Sequence, residues 1–469
     1  MQLSRRQMIF GAGALACAIP RVSWAAGGAD GLIAGLSGDV SYVVADLASG
    51  KILGARNADK AMPPASTVKA ITSLYALETL GGGYRFATRL IATGPVSGGV
   101  LQGDLVLAGG GDPTLTTDDL GDMAAQLAAS GLRGVSGRFL VWGGALPYAP
   151  EIAGDQPIHV GYNPAISGLI LNFNRVHFEW RRAGKGWQIG MDARGERFQP
   201  KAFTAEVALA NRKSPLFTYA NSGGKEHWTV AASGLNKHGS RWLPVRNPDA
   251  YAGDVFQTLA RAQGLALPAP RSVRDMPGGT VLVEHRSEPL GVILRGMMKY
   301  STNVTAEAVG MTTSTARGAP AGRGQSGASM GQWLAARMGG SGARFADHSG
   351  LGAESRISAQ EMVRALAQLG PGMGLRDLMK GFDLRDDAGR KMQNQTLQIE
   401  AKTGTLNFAS SLAGYMTGRN GRQLVFAIMT ADMNQRRRTA GQETPAGSRE
   451  WIRRSKILQS RLLERWSAL

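Results

Sequence analysis

Residues 66–80 read STVKAITSLYALETL, a helical pattern that starts after Pro63-Pro64 and stops at Gly81-Gly82-Gly83. Proline before a periodic apolar segment and glycine after it are start and stop signals of a helix. Ser66 and Lys69 stand at positions i and i+3 of the first turn, so their side chains share one face. A serine is a poor nucleophile until a base takes its proton, and a lysine acts as that base only when its pKa is lowered. The stretch therefore predicts a nucleophile–base pair at a helix start.

Strand patterns lie near both ends of the chain. Residues 40–45 and 51–55 are apolar, β-branched runs around a Ser-Gly turn, which indicates an antiparallel hairpin. Residues 411–417 and 423–430 flank Asn420-Gly421, a strong hairpin signal. Because helical segments lie between these hairpins, we expect one α/β domain built from both ends of the chain.

The middle of the chain interrupts this domain. Residues 87–285 alternate short β-like runs with turn clusters such as GGGDP at 109–113. We therefore expect a large, mostly β inserted region at 87–285 and a main domain formed by residues 26–86 and 286–469.

Helical pattern returns after the insert, with apolar residues at 290, 293, 294, 297 and 298. The Gly/Ser/Pro-rich stretch 313–329 predicts a loop. It contains a lone Gly-x-Gly-x-x-Gly at 322–327, and because no strand precedes it we expect no nucleotide site there.

A second motif follows the helix that carries these apolar residues, where residues 299–303 read KYSTN. The hydroxyl of Ser301 can relay a proton to a leaving amine, and the amide of Asn303 can hold a substrate amide. A third motif, KTGT at 402–405, is expected to start an apolar strand. Lys402 adds a second cation, which would lower the pKa of Lys69.

Glycine at position 404 lets a backbone approach closely, so a peptide substrate can pair with the edge of that strand. Two shorter copies of these motifs lack the context. Residues 222–225 read SGGK in a glycine loop, and residues 237–239 read KHG without a strand pattern. We therefore expect both copies to be inert.

The order and context of these motifs resemble the class C low-molecular-mass penicillin-binding proteins, the D-alanyl-D-alanine carboxypeptidase/endopeptidase family. The long gap between Ser66 and Ser301 fits the large insert of that family. The resemblance rests on five stretches: PASTVK at 64–69, GGGDPTL at 109–115, KYSTN at 299–303, DHSGL at 347–351 and AKTGTL at 401–406.

The resemblance implies an antiparallel sheet flanked by helices, with two small domains in the insert. It implies a serine peptidase that cleaves D-Ala-D-Ala in peptidoglycan through an acyl-enzyme, is acylated by penicillins and other β-lactams, and needs no cofactor or metal. In this sequence the implied roles are nucleophile for Ser66, base for Lys69, second catalytic element for Ser301 and Asn303, substrate binding for Lys402, Thr403, Gly404 and Thr405, and oxyanion hole for the backbone N–H groups of Ser66 and Thr405.

Two other functions remain open on these motifs: a penicillin sensor or wall-binding protein with little turnover, and a hydrolase of the β-lactamase or esterase type. They differ from a peptidase in deacylation, on which no motif reports.

Three positions near the motifs need separate expectations. Some relatives carry an arginine that helps hold the diamino-acid side chain of the substrate, where this chain has Ala353; Arg356 is close but not equivalent. His348 is expected to face solvent from a loop. Glu307 is expected to be an ion-pair partner on a helix rather than a general base.

Composition limits the class of protein. The chain has 469 residues, 43% hydrophobic and 19% charged, with a single cysteine, Cys17. Wholesale disorder, a disulfide framework, a cysteine zinc site and an iron–sulfur cluster are therefore excluded. Residues 1–25 have a basic start, a short apolar run and a small-x-Ala ending, which predict a signal peptide cleaved after Ala25. We expect export to the periplasm, through either the twin-arginine or the Sec route.

The formal net charge of +18 suggests an anionic partner. Export and the lack of interleaved aromatic residues argue against nucleic acid, which leaves cell wall or a lipid surface. A basic terminal helix is expected after Thr444-Pro445. Its apolar face, with Trp451, Leu458, Leu462 and Trp466, is expected to pack on the sheet or to lie on a membrane.

Overall fold

The computed structural model describes residues 33–320, 322–393 and 395–469, so the expected signal peptide, with Cys17, lies outside the described residues. Its helices are α1 (Val68–Leu80), α2 (Thr117–Ala129), α3 (Pro248–Ala262), α4 (Leu290–Tyr300), α5 (Asn303–Ala316), α6 (Arg323–Met338), α7 (Ala359–Leu369), α8 (Leu375–Leu378), α9 (Met433–Arg438) and α10 (Ser448–Trp466). Its strands are β1 (Asp39–Asp46), β2 (Ile52–Arg56), β3 (Ala87–Ala92), β4 (Val96–Ser97), β5 (Val100–Leu101), β6 (Leu105–Ala108), β7 (Gly134–Val135), β8 (Phe139–Trp142), β9 (Arg175–Ala183), β10 (Gly186–Asp192), β11 (Ala205–Ala210), β12 (Phe217–Ser222), β13 (Lys225–Ala231), β14 (His238–Pro244), β15 (Pro270–Ser272), β16 (Thr280–Arg286), β17 (Lys380–Gly381), β18 (Ile399–Leu406), β19 (Ala409–Thr417) and β20 (Gln423–Ala431).

Both ends of the chain build one six-stranded antiparallel sheet, in the order β17-β18-β19-β20-β1-β2. The two predicted hairpins are β1–β2 and β19–β20, and Gly421 has φ +82° in the turn of the second hairpin. Strand β20 is buried along almost its whole length because both faces of the sheet are covered. This explains its nearly continuous apolar sequence, LVFAIM at 424–429.

Helices cover the two faces of this sheet. Helices α1, α4, α6 and α7 contribute to an apolar core against one face, and α10 packs against the other. The side chain of Trp466 in α10 lies 5.6 Å from Tyr42 and 6.2 Å from Phe426 between ring centroids. The apolar face of α10 is therefore buried on the sheet and is not open to a membrane. Of the two alternatives expected for this face, the structure shows packing on the sheet. Among the described helices, none is both long and apolar enough to span a bilayer.

The segment between the two parts of the sheet leaves and returns on adjacent strands, since Ala87 of β3 pairs with Arg286 of β16. It forms a five-stranded sheet, β15-β8-β6-β3-β16, and three three-stranded sheets, β4-β5-β7, β10-β9-β14 and β11-β13-β12. Helices α2 and α3 share its apolar core. The expected fold class, a helix-flanked antiparallel sheet with a mostly β insert, is confirmed. The boundaries of the domains stay a prediction.

One apolar cluster joins this insert to the main sheet domain. Leu146, Ile152, Ile166 and Ile170 from the insert pack with side chains of α5 and with Leu351. Helix α5 begins at Asn303. The contact therefore holds the insert beside the second of the three motifs.

The loop predicted at 313–329 is much shorter, because α5 runs to Ala316 and α6 begins at Arg323. The small residues of α6 allow close packing rather than a loop. A Cβ on Gly327, for example, would lie 2.7 Å from the carbonyl oxygen of Phe345. The small residues that allow α6 to pack closely thus have the composition of a loop, and this composition led to the wrong prediction.

Candidate active site

Ser66 lies in a 3₁₀ turn, Ala65–Thr67, that leads directly into α1. The residue before it, Ala65, has φ +46°, which is uncommon for a residue with a side chain. The hydroxyl of Thr67 donates to the carbonyl of Pro64 at 2.7 Å and ties the turn together. Together these contacts leave the half-buried Ser66 side chain at the wall of a cleft.

Lys69 lies one turn further along and is fully buried. Its Nζ donates to three oxygens: Ser66 Oγ at 3.0 Å, Asn303 Oδ1 at 2.9 Å and the carbonyl of Ser349 at 2.7 Å. Burial lowers the pKa of Lys69 to about 7, although the carboxylates of Glu307 and Asp347 act in the opposite direction. A lysine with this pKa is largely neutral at slightly alkaline pH and can accept a proton from Ser66.

The second motif is split between two helices. Ser301 ends α4 with φ +60°, in the left-handed region, and Asn303 begins α5. This sharp reversal brings Ser301 Oγ to 2.9 Å from Nζ of Lys402 and Asn303 Oδ1 to Lys69. The Asn303 amide also donates to the carbonyl of Tyr162, in the insert, at 3.0 Å.

Lys402 is the second buried lysine, 1% exposed. Besides Ser301, its Nζ donates to the carbonyl of Thr403 at 2.7 Å. Burial, and then the positive charges of Lys69 and Lys380, hold the pKa of Lys402 well below its usual range. The positive charge of Lys69 therefore disfavours the ammonium form of Lys402.

The KTGT motif occupies the last half of β18 rather than its start, so the expected position within the strand was wrong. Strand β18 passes close to the 3₁₀ turn that holds Ser66, since a Cβ on Gly404 would lie 2.9 Å from both Ser66 N and Ala65 Cβ. On its outer side β18 pairs with β17 only at Glu400 and Ala401. Among the described strands, none pairs with that side from Lys402 onward, so the edge is open to an extended peptide.

These residues share one cavity of about 320 Å³. Ser66, Ser301, Asn303 and Thr405 line its wall on the main domain, and Thr405 is exposed to it. All the residues predicted from the three motifs thus lie at or directly behind this cleft. Among the described residues, no cluster of His, Cys, Asp and Glu could hold a metal ion.

Sequence reasoning missed Arg436 and Asp155, which also line this cavity. Arg436 is only 7% exposed, and its Nη2 lies 3.1 Å from Asp155 Oδ2. Its Nε is buried and has no partner among the described residues. In the sequence Arg436 opens an Arg-Arg-Arg run, which gave no signal that one of the three arginines would point into a cleft.

The expectation that His348 faces solvent was wrong. The side chains of His348 and Glu307 are both fully buried, His348 behind Lys69 with its Nε2 at 2.7 Å from Ser326 Oγ, and burial lowers the pKa of His348 to about 4. Its ring fits because position 310 is glycine, whose Cβ would lie 2.1 Å from the imidazole. The carboxylate of Glu307 accepts backbone N–H groups of His348 and Ser349 and acts on the charge of Lys69. That Glu307 is not a general base stays a prediction.

The two shorter motif copies differ from the motifs of the cleft in their surroundings. Ser222 and Lys225 face each other across the exposed β12–β13 turn. Residues 237–239 stand at the exposed start of β14. The lysines of both copies are therefore in solvent.

A helix-flanked antiparallel sheet that brings a Ser-x-x-Lys pair, a Ser-x-Asn turn and a Lys-Thr-Gly strand to one cleft defines a class, the serine peptidases of the DD-peptidase type. Comparison with known proteins then identifies the family. The chain belongs to the D-Ala-D-Ala carboxypeptidase 3 (S13) family, whose model matches residues 33–449.

Individual relatives agree with this assignment. A D-alanyl-D-alanine carboxypeptidase of Actinomadura sp. (strain R39) is 30% identical over 447 residues, covering 84% of this chain and 78% of that protein. The D-alanyl-D-alanine carboxypeptidase DacB of Haemophilus influenzae is 24% identical over 408 residues, covering 83% and 84%. The crystal structure of penicillin-binding protein 4 from H. influenzae has a similar fold, with a TM-score of 0.74 at 21% identity over 94% of this chain and 99% of that one. The predicted family and enzyme class, a serine-type D-Ala-D-Ala carboxypeptidase, are confirmed.

Proposed function

We propose that Ser66 is the nucleophile of this carboxypeptidase and Lys69 its base. The observation that carries the assignment is the 3.0 Å contact between Ser66 Oγ and the buried Nζ of Lys69, whose pKa is lowered to about 7. As Ser66 Oγ bonds to the carbonyl carbon of the scissile D-Ala-D-Ala bond, its proton passes to Lys69. The backbone N–H groups of Ser66 and Thr405 stabilise the oxyanion that forms.

Ser301 and Lys402 complete the proton path. Ser301 Oγ donates its proton to the leaving amine and takes one from the ammonium of Lys402, whose Nζ lies 2.9 Å away, and the peptide C–N bond breaks to leave a Ser66 acyl-enzyme. Asn303, whose Oδ1 accepts from Lys69 at 2.9 Å, orients the base and the substrate amide. Water then hydrolyses the ester.

Peptidoglycan peptides bind, in this proposal, along the open edge of β18. Lys402, Thr403 and Thr405 bind the terminal carboxylate, and Gly404 permits the close approach of the substrate backbone. Pentapeptide tails and cross-links both offer such a carboxylate, so both are substrates, the first by carboxypeptidase and the second by endopeptidase action. Ala353 offers no guanidinium, and Arg356 donates instead to carbonyls of its own loop.

β-Lactams acylate the same serine, because their strained amide presents a carbonyl and a carboxylate with a similar spacing. One solved structure of H. influenzae penicillin-binding protein 4 contains a β-lactam. We further propose that the enzyme is exported and works in the periplasm, since its substrate lies outside the cytoplasm and residues 1–25 have the pattern of a signal peptide.

The test is a digest of purified peptidoglycan with the wild type and with Ser66→Ala, followed by identification of the released products. We expect free D-Ala and split dimers from the wild type and neither from Ser66→Ala. Fluorescent penicillin should label the wild type and not Ser66→Ala, whereas Ser222→Ala, the matched control, should label normally. Labelling without released products would favour a penicillin sensor, and labelling of Ser66→Ala would overturn the assignment of the nucleophile.

A further inference from the structure

Glu307 is a fully buried acid behind the catalytic lysine. It lies on α5 one turn after Asn303, which puts both side chains on one helix face. Its carboxylate accepts the backbone N–H of Ser349 at 2.9 Å and that of His348 at 3.2 Å. These contacts attach the carboxylate to one side of loop 347–352.

That loop is fixed from three directions. The carboxylate of Asp347 accepts N–H groups of Gly350 at 2.9 Å and Gly352 at 2.7 Å. The hydroxyl of Thr72, on α1, donates to the carbonyl of His348 at 2.7 Å. The next carbonyl, that of Ser349, accepts Lys69 Nζ at 2.7 Å. The position of the ammonium group therefore depends on how firmly the loop is held.

Charges around this loop come from five elements and from Asp347 of the loop itself. Lys69 of α1 faces the two carboxyl groups of Glu307 and Asp347, and Lys402 of β18 lies beyond it with Lys380 of β17. Arg323 at the start of α6 and the neutral ring of His348 stand on the far side. Burial raises the pKa of Glu307, and burial with the charge of Glu307 raises the pKa of Asp347 to about 6.

We propose that Glu307 is a positioning residue for Lys69: it holds the loop carbonyl that binds the lysine, and its negative charge stabilises the ammonium formed when Ser66 gives up its proton. The role is that of the carboxylate in a serine–histidine–aspartate triad, which orients the base and stabilises its cation without taking the proton. The inference rests on the proposed roles of Ser66 and Lys69.

The test is the pH profile of acylation by a fluorescent penicillin, measured from about pH 5 to about pH 9. Removing the negative charge in Glu307→Gln makes the ammonium of Lys69 less stable. The acid limb, which is the fall of the acylation rate on the acidic side of the profile, should therefore move to lower pH by roughly one unit. The plateau rate should fall roughly 10- to 100-fold, because the base is less well held. Glu307→Asp keeps the charge and shortens its reach, so it should lower the plateau and leave the limb in place.

Thr72→Val is the matched control, since it loosens the same loop without changing any charge and should not move the limb. A Glu307→Gln enzyme with a lower plateau and an unmoved limb would show a structural role only and overturn the proposal. So would a Glu307→Asp limb that moves down as far as that of Glu307→Gln. Failure of the proposed function is distinguishable, because Ser66→Ala would then still be labelled.

Discussion

Gly404→Ala tests whether the close approach of β18 to the nucleophile turn matters for catalysis. The added Cβ would lie 2.9 Å from Ser66 N, 2.9 Å from Ala65 Cβ and 3.0 Å from the carbonyl oxygen of Pro64. Ordinary contacts between such atoms are about 3.5–4.0 Å. All three neighbours belong to the backbone or its first side-chain atom, so none can rotate away. The strand and the turn must therefore separate by roughly 0.5–1 Å.

The separation acts on the proposed oxyanion hole, whose two N–H groups would come from Ser66 on the turn and Thr405 on the strand. Donors act at about 2.7–3.1 Å from the oxyanion, and the loss of one donor costs about 10²–10³ in rate. We therefore expect Gly404→Ala to acylate on the order of 100-fold more slowly than the wild type. Overpacking should also lower the free energy of unfolding, by about 1–3 kcal/mol.

The assay is the second-order rate of labelling by a fluorescent penicillin, with thermal denaturation as the measure of folding. Gly381→Ala on the neighbouring β17 is the matched control, because its Cβ would meet nothing within 4 Å. It should label at the wild-type rate. If folded Gly404→Ala labels within about threefold of the wild type, the distance between strand and turn does not set the oxyanion hole, and the reasoning fails.

Two further predictions concern charge. In the proposed mechanism the neutral form of Lys69 is the base, and its pKa is about 7, so acylation should fall tenfold per pH unit below about pH 7. Lys402→Ala removes a nearby cation, so we expect the pKa of Lys69 to rise and this fall in rate to move to higher pH. A limb near the ordinary pKa of lysine would contradict the burial argument. Ala353→Arg should raise the preference for cross-linked substrate in a competition digest, because a guanidinium can pair bidentately with a carboxylate. A wild type that already prefers dimers a hundredfold would place the selectivity elsewhere in the cleft, where Arg436 is the guanidinium available.

Local patterns predicted most of the fold because they depend on few residues. The Asn-Gly turn at 420–421 determines its own hairpin, and the helix at 68–80 has its stop signal beside it. Helix α6 was not predicted because its sequence reflects a contact with a distant part of the chain. Its glycines fit the tight contact with the backbone of Phe345, and that partner lies far along the chain.

In the site, too, the residues of local motifs were predicted, and those that depend on packing were not. Ser66, Lys69, Ser301 and Lys402 were predicted because motif spacing is a local property. The exposure of His348 was wrongly predicted because its burial depends on how α5 and α6 pack behind the cleft. A histidine in a Gly/Ser-rich loop suggests exposure, and only the packing shows that Gly310 makes room for its ring.

Spacing alone does not make a lysine a base. Ser222 and Lys225 have the same separation as Ser66 and Lys69, but they stand on an exposed hairpin turn. Lys69 differs by its complete burial, which lowers its pKa against the pull of two carboxylates. The chemistry of this enzyme is thus set by the folded surroundings of the Ser-x-x-Lys motif, which helix α5, strand β18 and loop 347–352 supply from distant parts of the chain.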